Sequence, residues 1–449
     1  VSELRALLTL AGPIVLTQVG QMMLGIVDTM LAGRLSVTAL DAVTLGHLFQ
    51  MATVLPAYGI VIGLDPLVSQ AQGAGRGDDA GLALQRGVLL ALVCSVPVAW
   101  SWYYTEDVLL ALGQAPELCR EAGRFTQVQV FSVPAFLLFG AQSAYLTARG
   151  IVRPGVIVML LANVFNACAG WALIFGHFGL PALGVWGAGV ATALTRTLLA
   201  LLVFALIFGL KLHRGAWRPW SRAAFTLRPL LAQLGLGAPV GITLALELWA
   251  FQIGTLIAGR LDAESLAAHS IATSLISLAF MVPLGISFGT SARVGALIGA
   301  GKPDAAQVAA HTALKLGAVY ALCSASVLLL WGQRLAALFS AEPEVLALAG
   351  SILPIAGAFQ LFDSLQAIGS GVLRGMGRPR PSAAFNFVGY FVVAMPLSYY
   401  LALHTEARLS GVWLGYALGL FVVATSLVSW VLVRGPKTVR ALAEALPSS

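Results

Sequence analysis

Nineteen acidic residues are spread over 449, and most lie in short polar connections. Asp28, Glu247 and Asp363 instead lie deep inside apolar runs, and Asp65 lies near the end of another. A carboxylate surrounded by hydrocarbon is costly, which makes each one a candidate for function. Two chemistries fit. In a low-dielectric setting an acid can exchange its charge for a proton. A carboxylate with hydroxyl, amide and carbonyl oxygens around it is equally a site for a hard cation such as Na+. The bland alternative is an acid paired with a base for folding alone, and Asp65, next to Pro66, fits that alternative best.

Other polar groups share these runs. Arg196 is the one deeply placed base; it can pair with Asp28, snorkel to an interface or line a water-filled cavity. Gln21, Asn163, Asn166, Gln252, Gln366 and Asn386 can line such a cavity or join helix to helix. His47 and His269 open their runs at what should be an outer interface and are read as having no role. The four cysteines (Cys94, Cys119, Cys168 and Cys323) are scattered without metal-ligand spacing and read as small apolar residues.

Apolar runs long enough to cross a bilayer must position these groups. The chain is 59% hydrophobic and only 10% charged, against roughly 25% charged in soluble domains. Its mean hydropathy is +0.88. Twelve spans are predicted, at 6–32, 45–70, 84–103, 125–148, 155–176, 187–210, 230–258, 267–291, 309–331, 346–373, 383–403 and 410–433. Helices fit these lengths, because in lipid the backbone must satisfy its own hydrogen bonds. The first span is too long and too polar for a signal peptide. The net charge of +7 does not mean nucleic acid, because the basic residues occupy loops between spans. On alternate sides they number 18 and 6, which places both termini and the linker 211–229 in the cytoplasm.

The chain reads as two copies of one unit. TLIAGRL at Thr255–Leu261 repeats TMLAGRL at Thr29–Leu35, 226 residues apart. Pro13 maps to Pro239, Gly59 and Gly63 to Gly285 and Gly289, and Gly73-Ala74-Gly75 to Gly299-Ala300-Gly301 at the same offset. Further on, Arg149-Gly150 echoes Arg374-Gly375 at 225, and Gly184-Val185-Trp186 echoes Gly411-Val412-Trp413 at 227. The acids are not copied: Asp28 faces Gly254, Glu247 faces Gln21, and Asp363 faces Leu138. The fold class is therefore an all-α integral membrane protein. Its twelve transmembrane helices form two six-helix bundles related by a pseudo-twofold along the membrane normal, with a central cavity. The expected domains are 1–210, the basic cytoplasmic linker 211–229, 230–433, and a cytoplasmic tail 434–449. Pro13 and Pro239 each bend a helix near its inner end, as a static kink or as a hinge. The GxxxG pairs let helices approach closely.

The chain resembles the multidrug and toxic compound extrusion (MATE) transporters, in particular the bacterial NorM-like branch. The likeness rests on Gln21…Val27-Asp28-Thr29…Ala32-Gly33, Gly63…Gln70…Gly73-Ala74-Gly75, Leu246-Glu247…Ala258-Gly259 and Asp363…Leu373-Arg374-Gly375…Gly377. It implies an alternating-access antiporter that exports organic cations in exchange for Na+ or H+. It implies no cofactor beyond that ion, and a monomer in the bacterial inner membrane. Glu247 and Asp363 would form the coupling site, with Na+ as a candidate ion there, and Asp28 a proton or substrate site. Two departures stand out. Where the family carries an Asn pair in the fifth span, this chain has Asn166 and Gly170. A tyrosine hydroxyl that helps hold the cation in some relatives is replaced by Phe359.

The residues disfavour three other readings. A lipid-linked oligosaccharide flippase on a related scaffold would need several bases in its cavity, and Arg196 alone is available. Gly285-Ile286-Ser287-Phe288-Gly289 has the spacing of an esterase elbow but lies inside an apolar helix rather than at a strand-to-helix turn. Near Lys302 the phosphate-loop pattern fails, since Pro303 stands where Ser or Thr is required.

Overall fold

A computed structural model describes residues 3–442. Twelve of its helices have the length and composition to span a membrane. In order, the spans are Glu3–Leu35, Val37–Gly73, Gly77–Tyr103, Pro116–Ala148, Arg153–Phe175 and Gly184–Gly209, then Leu227–Gly259, Ala263–Gly299, Pro303–Ala336, Pro343–Gly375, Arg380–His404 and Arg408–Arg434. Each overlaps its predicted run. Most extend several residues beyond it, because the helix continues into polar sequence that hydropathy leaves out. Of the expected tail, residues 443–449 lie outside the described residues.

Local chemistry sets the span ends, and it does so in the same way twice. Ser36 caps the second span by accepting from Ala39 N at 3.0 Å. Asp262, its repeat partner, caps the eighth by accepting from Ser265 N at 2.6 Å. Those hydrogen bonds, with Arg408 beside them, hold the Asp262 carboxyl below its ordinary range. Gly75 and Gly301, also repeat partners, take φ of 70° and 69° in the turns that follow, a backbone region that disfavours a Cβ.

The helix ends correct the register of the later repeat. The fourth span ends at Ala148 and the tenth at Gly375, the fifth starts at Arg153 and the eleventh at Arg380, and Gly150 and Gly377 both have positive φ. All three pairs are 227 apart. The Arg-Gly echo at 225 is thus a coincidence of composition, and the position matching Asp363 is Phe136 rather than Leu138.

Two compact units emerge, of about equal internal density. The N-terminal unit comprises Leu16–Val68 and Arg76–Gly241; the C-terminal unit comprises, among the described residues, 3–15, Ser69–Gly75 and 242–442. Against the chain-order halves 1–210 and 230–433, the first and seventh spans each change unit two residues after their proline. Glycines make the packing within each unit possible. In the N-terminal unit a Cβ on Gly59 would strike the backbone of Gly241, and one on Gly63 the backbone of Gly237. One GxxxG pair thus meets another, backbone to backbone. In the C-terminal unit Gly285 faces Val15 and Gly289 faces Ala11, which are the repeat-equivalent contacts. Gly73 meets Ala296 and Gly299 meets Gln70, a contact that maps onto itself when the repeat is applied.

Candidate functional site

In the N-terminal unit, four spans converge on Asp28, which is 1% exposed. Asn166 Nδ2 donates to Asp28 Oδ1 at 2.8 Å, and Thr192 Oγ1 donates to Asp28 Oδ2 at 2.7 Å. Thr195 Oγ1 in turn donates to Asn166 Oδ1 at 2.9 Å, fixing the direction of that amide. His47 Nε2 lies 3.6 Å from Asp28 Oδ2. Both carboxylate oxygens are therefore served by neutral donors from the fifth and sixth spans, and an imidazole stands beside them. Gly170, where the family has a second Asn, is crowded by Leu31 of the first span: a Cβ there would come within 2.8 Å of Leu31 Cδ1.

Arg196 shares this interior and feels the charge of Asp28, but it forms no ion pair with it. Its guanidinium donates to Gln129 Oε1 at 2.8 Å and Gln50 Oε1 at 3.2 Å. Its Cζ sits over the rings of Trp102 and Phe136 at 5.2 and 5.3 Å. Pairing with Asp28, snorkelling and cavity lining all give way to this arrangement: Arg196 is a buried cation satisfied by two amides and two aromatic faces. His47 and His269 also differ from expectation. His47 abuts Asp28, and His269 is fully buried with Nε2 3.2 Å from Thr255 Oγ1.

A second cluster forms in the C-terminal unit. Asp363 is 4% exposed and Gln366 1%, and Glu247 is half-buried. Glu247 lies in the field of Asp363 and within hydrogen-bonding reach of Gln366. Gln366 Nε2 also donates to Asn386 Oδ1 at 2.9 Å, tying the tenth span to the eleventh. One turn beyond Asn386, in a π-helical stretch at Val388–Ala394, the fully buried Tyr390 joins the electrostatic surroundings of Glu247 and Asp363. Asp363 Oδ1, Gln366 Oε1 and Tyr390 Oη have no hydrogen-bond partner. Unserved buried oxygens of this kind are what a cation or a proton would satisfy.

The repeat partner of Asp28 is Gly254, and a Cβ on it would collide with the hydroxyl of Tyr416. That hydroxyl donates to Ala250 O at 3.2 Å. The place a carboxylate would occupy in the C-terminal unit is thus filled by tyrosine. Phe359, which is fully buried, packs its ring against Phe251, Trp413 and Tyr416 with centroids 5.8, 5.9 and 6.2 Å apart.

The remaining predicted positions are dispersed. Asn163 joins helices, donating to Gly20 O and Met159 O at 2.9 Å each. Gln21 and Gln252 are half-buried and stand outside both hydrogen-bond networks. Pro13 and Pro239 lie inside unbroken helices, and Asp65 is buried at the first residue of a helical segment that follows a break at Gly63–Leu64. Sequence reasoning missed Thr192, Thr195, Gln50, Gln129, Tyr390 and Tyr416. A signal existed for some of them. His47 and Gln50, and Thr192 with Thr195 and Arg196, fall three or four residues apart and make polar stripes on one face of otherwise apolar helices.

Twelve helices long and apolar enough to cross a membrane, with two acid clusters among them, define a polytopic membrane protein. A family model described as MatE matches residues 13–172 and 239–400, beginning at the two repeat-related prolines. The chain is 34% identical over 443 residues to a "Probable multidrug resistance protein NorM" of Mesorhizobium japonicum, covering 95% of this chain and 93% of that protein. It is 32% identical to the multidrug resistance protein MdtK of Pectobacterium atrosepticum, covering 95% of each. In fold it matches the crystal structure of the eukaryotic MATE transporter AtDTX14 with a TM-score of 0.90, at 24% identity, over 97% of this chain and 96% of that one. The chain belongs to the MATE family.

Proposed function

We infer that this protein is a secondary active efflux antiporter. It exports amphipathic organic cations and drugs in exchange for inward Na+ or H+ by alternating access. The observation that carries this reading is the pair of enclosed acid clusters, one in each compact unit and at non-equivalent places in the repeat. Relatives named for multidrug resistance support the substrate class. The coupling ion neutralises Glu247 and Asp363, whose surrounding oxygens lack donors. The cluster therefore alternates between a charged state that attracts a cation and a neutralised state that releases it. The excess of basic residues on one side of the spans supports cytoplasmic termini, and the bacterial relatives support the inner membrane.

The test is ethidium efflux from proteoliposomes under separately imposed Na+ and pH gradients. Glu247→Gln and Asp363→Asn should remain folded and monodisperse but lose gradient-driven efflux. Full efflux from either purified variant would overturn the assignment. The flippase alternative needs free bases to hold a pyrophosphate. The engagement of Arg196 by Gln50 and Gln129 weighs against it.

A further inference from the structure

His47 has no task in the antiport scheme, yet it is the ionisable group that touches Asp28. Its Nε2 is 3.6 Å from Asp28 Oδ2, is buried, and makes no hydrogen bond. The ring is held in place. It stands edge-on to Phe125 with centroids 5.1 Å apart, and the helix bearing it runs so close to Phe125 that a Cβ on Gly46 would come within 2.6 Å of that ring. The side chain is 17% exposed, against 2% for Asp28. The charged group that faces it is Asp28 from the first span, and Arg196 from the sixth lies in the field of that same carboxylate. The fourth span presents Phe125, and the fifth presents the neutral Asn166.

Counting lone pairs and protons decides what this contact does. Asn166 and Thr192 each serve one oxygen of Asp28, so Oδ2 still has acceptor capacity on the side facing the imidazole. In the Nδ1–H tautomer of the neutral ring, Nε2 presents a lone pair to the carboxylate and stays unsatisfied, while Thr192 serves Oδ2; in the Nε2–H tautomer the ring itself donates to Oδ2, and a further proton adds at Nδ1. With one proton, either arrangement satisfies both atoms: a carboxyl O–H pointing at Nε2, or an imidazolium N–H pointing at the carboxylate. Transfer breaks one O–H bond and makes one N–H bond, with no further reactant. Na+ at Oδ2 would be repelled whenever that ring was charged.

We propose that His47 and Asp28 form one proton-binding pair, so that the coupling ion of the N-terminal unit is a proton shared between imidazole and carboxylate. This rests on the antiport reading and adds to it the residue that shares the proton of Asp28, His47.

The experiment compares wild type, His47→Gln, Asp28→Asn and the double variant, purified and reconstituted. Ethidium efflux driven by a pH gradient should fall about a hundredfold in His47→Gln, at the low end of what a positioned proton-transfer group contributes. Equilibrium ethidium affinity should lose most of its dependence on pH, as reciprocal linkage requires. In weakly buffered detergent solution, ethidium binding should release roughly half as many protons from His47→Gln, or fewer, as from wild type, with no extra loss in the double variant, as expected for one shared proton. If His47→Gln is not monodisperse, His47→Asn takes its place. Wild-type proton release and a wild-type pH-gradient rate in the His47 variant would overturn the pair, as would a wild type indifferent to the pH gradient. The antiport reading fails separately, if Asp28→Asn and Glu247→Gln also leave efflux intact.

Discussion

Arg196 shows how a residue's neighbours, rather than its type, assign its role. A lone base near a lone acid inside a membrane invites an ion pair, but the guanidinium turns to two glutamine oxygens and two aromatic faces. A buried cation served in this way is structural. We expect Arg196→Met to lower stability by about 3 kcal/mol, since two buried amide oxygens lose their donors at once, as read from thermal unfolding in detergent. Arg196→Lys should not restore it, because an ammonium lacks the planar fork that reaches both amides while lying against two rings. Equal melting of Arg196→Met and wild type would remove this account. With Arg196 engaged elsewhere, no guanidinium is paired to Asp28.

Among the elements, the spans pack through glycines whose repeat partners are related but not equally tight. A Cβ on Gly63 would overlap the backbone of Gly237, whereas one on Gly289 would sit 3.4 Å from Ala11 N, in ordinary contact. The same substitution therefore has opposite prospects in the two halves. Gly63→Ala should destabilise by about 1–3 kcal/mol through overpacking, and Gly289→Ala should be close to neutral. Unfolding midpoints of the two variants measured side by side check this; equal losses would mean the close approach is not what holds these helices. The cause is the partner residue. Glycine at 237 lets the backbones meet, and alanine at 11 already keeps them apart. Spacing alone marked both pairs as close-packing motifs, but their tightness depends on residues more than 170 positions away in the chain.

At the level of the molecule, the two long helices that begin each repeat change compact unit at residues 15–16 and 241–242, just after Pro13 and Pro239. A proline leaves one backbone carbonyl of its helix without an N–H partner and so makes bending cheap at that point. If bending there accompanies alternating access, replacing both prolines with alanine should slow ethidium efflux roughly tenfold, with kcat and KM changing together as hinge substitutions often make them do. Unchanged efflux would make the prolines static kinks. Twelve helices, a doubled scaffold and the three deep acids were legible in the linear chain. Hydrocarbon imposes a length and a composition on any segment that crosses it, and an acid kept there stands out. The later repeat register was misread by two residues, because apolar sequence offers many near-matches and only helix ends discriminate among them. What surrounds each acid was hidden for a different reason. The threonines, glutamines and tyrosines at these sites are ordinary helix residues until packing brings five or six spans together. Only then does Asp28 acquire two donors and an imidazole, while Asp363 keeps an oxygen that nothing serves.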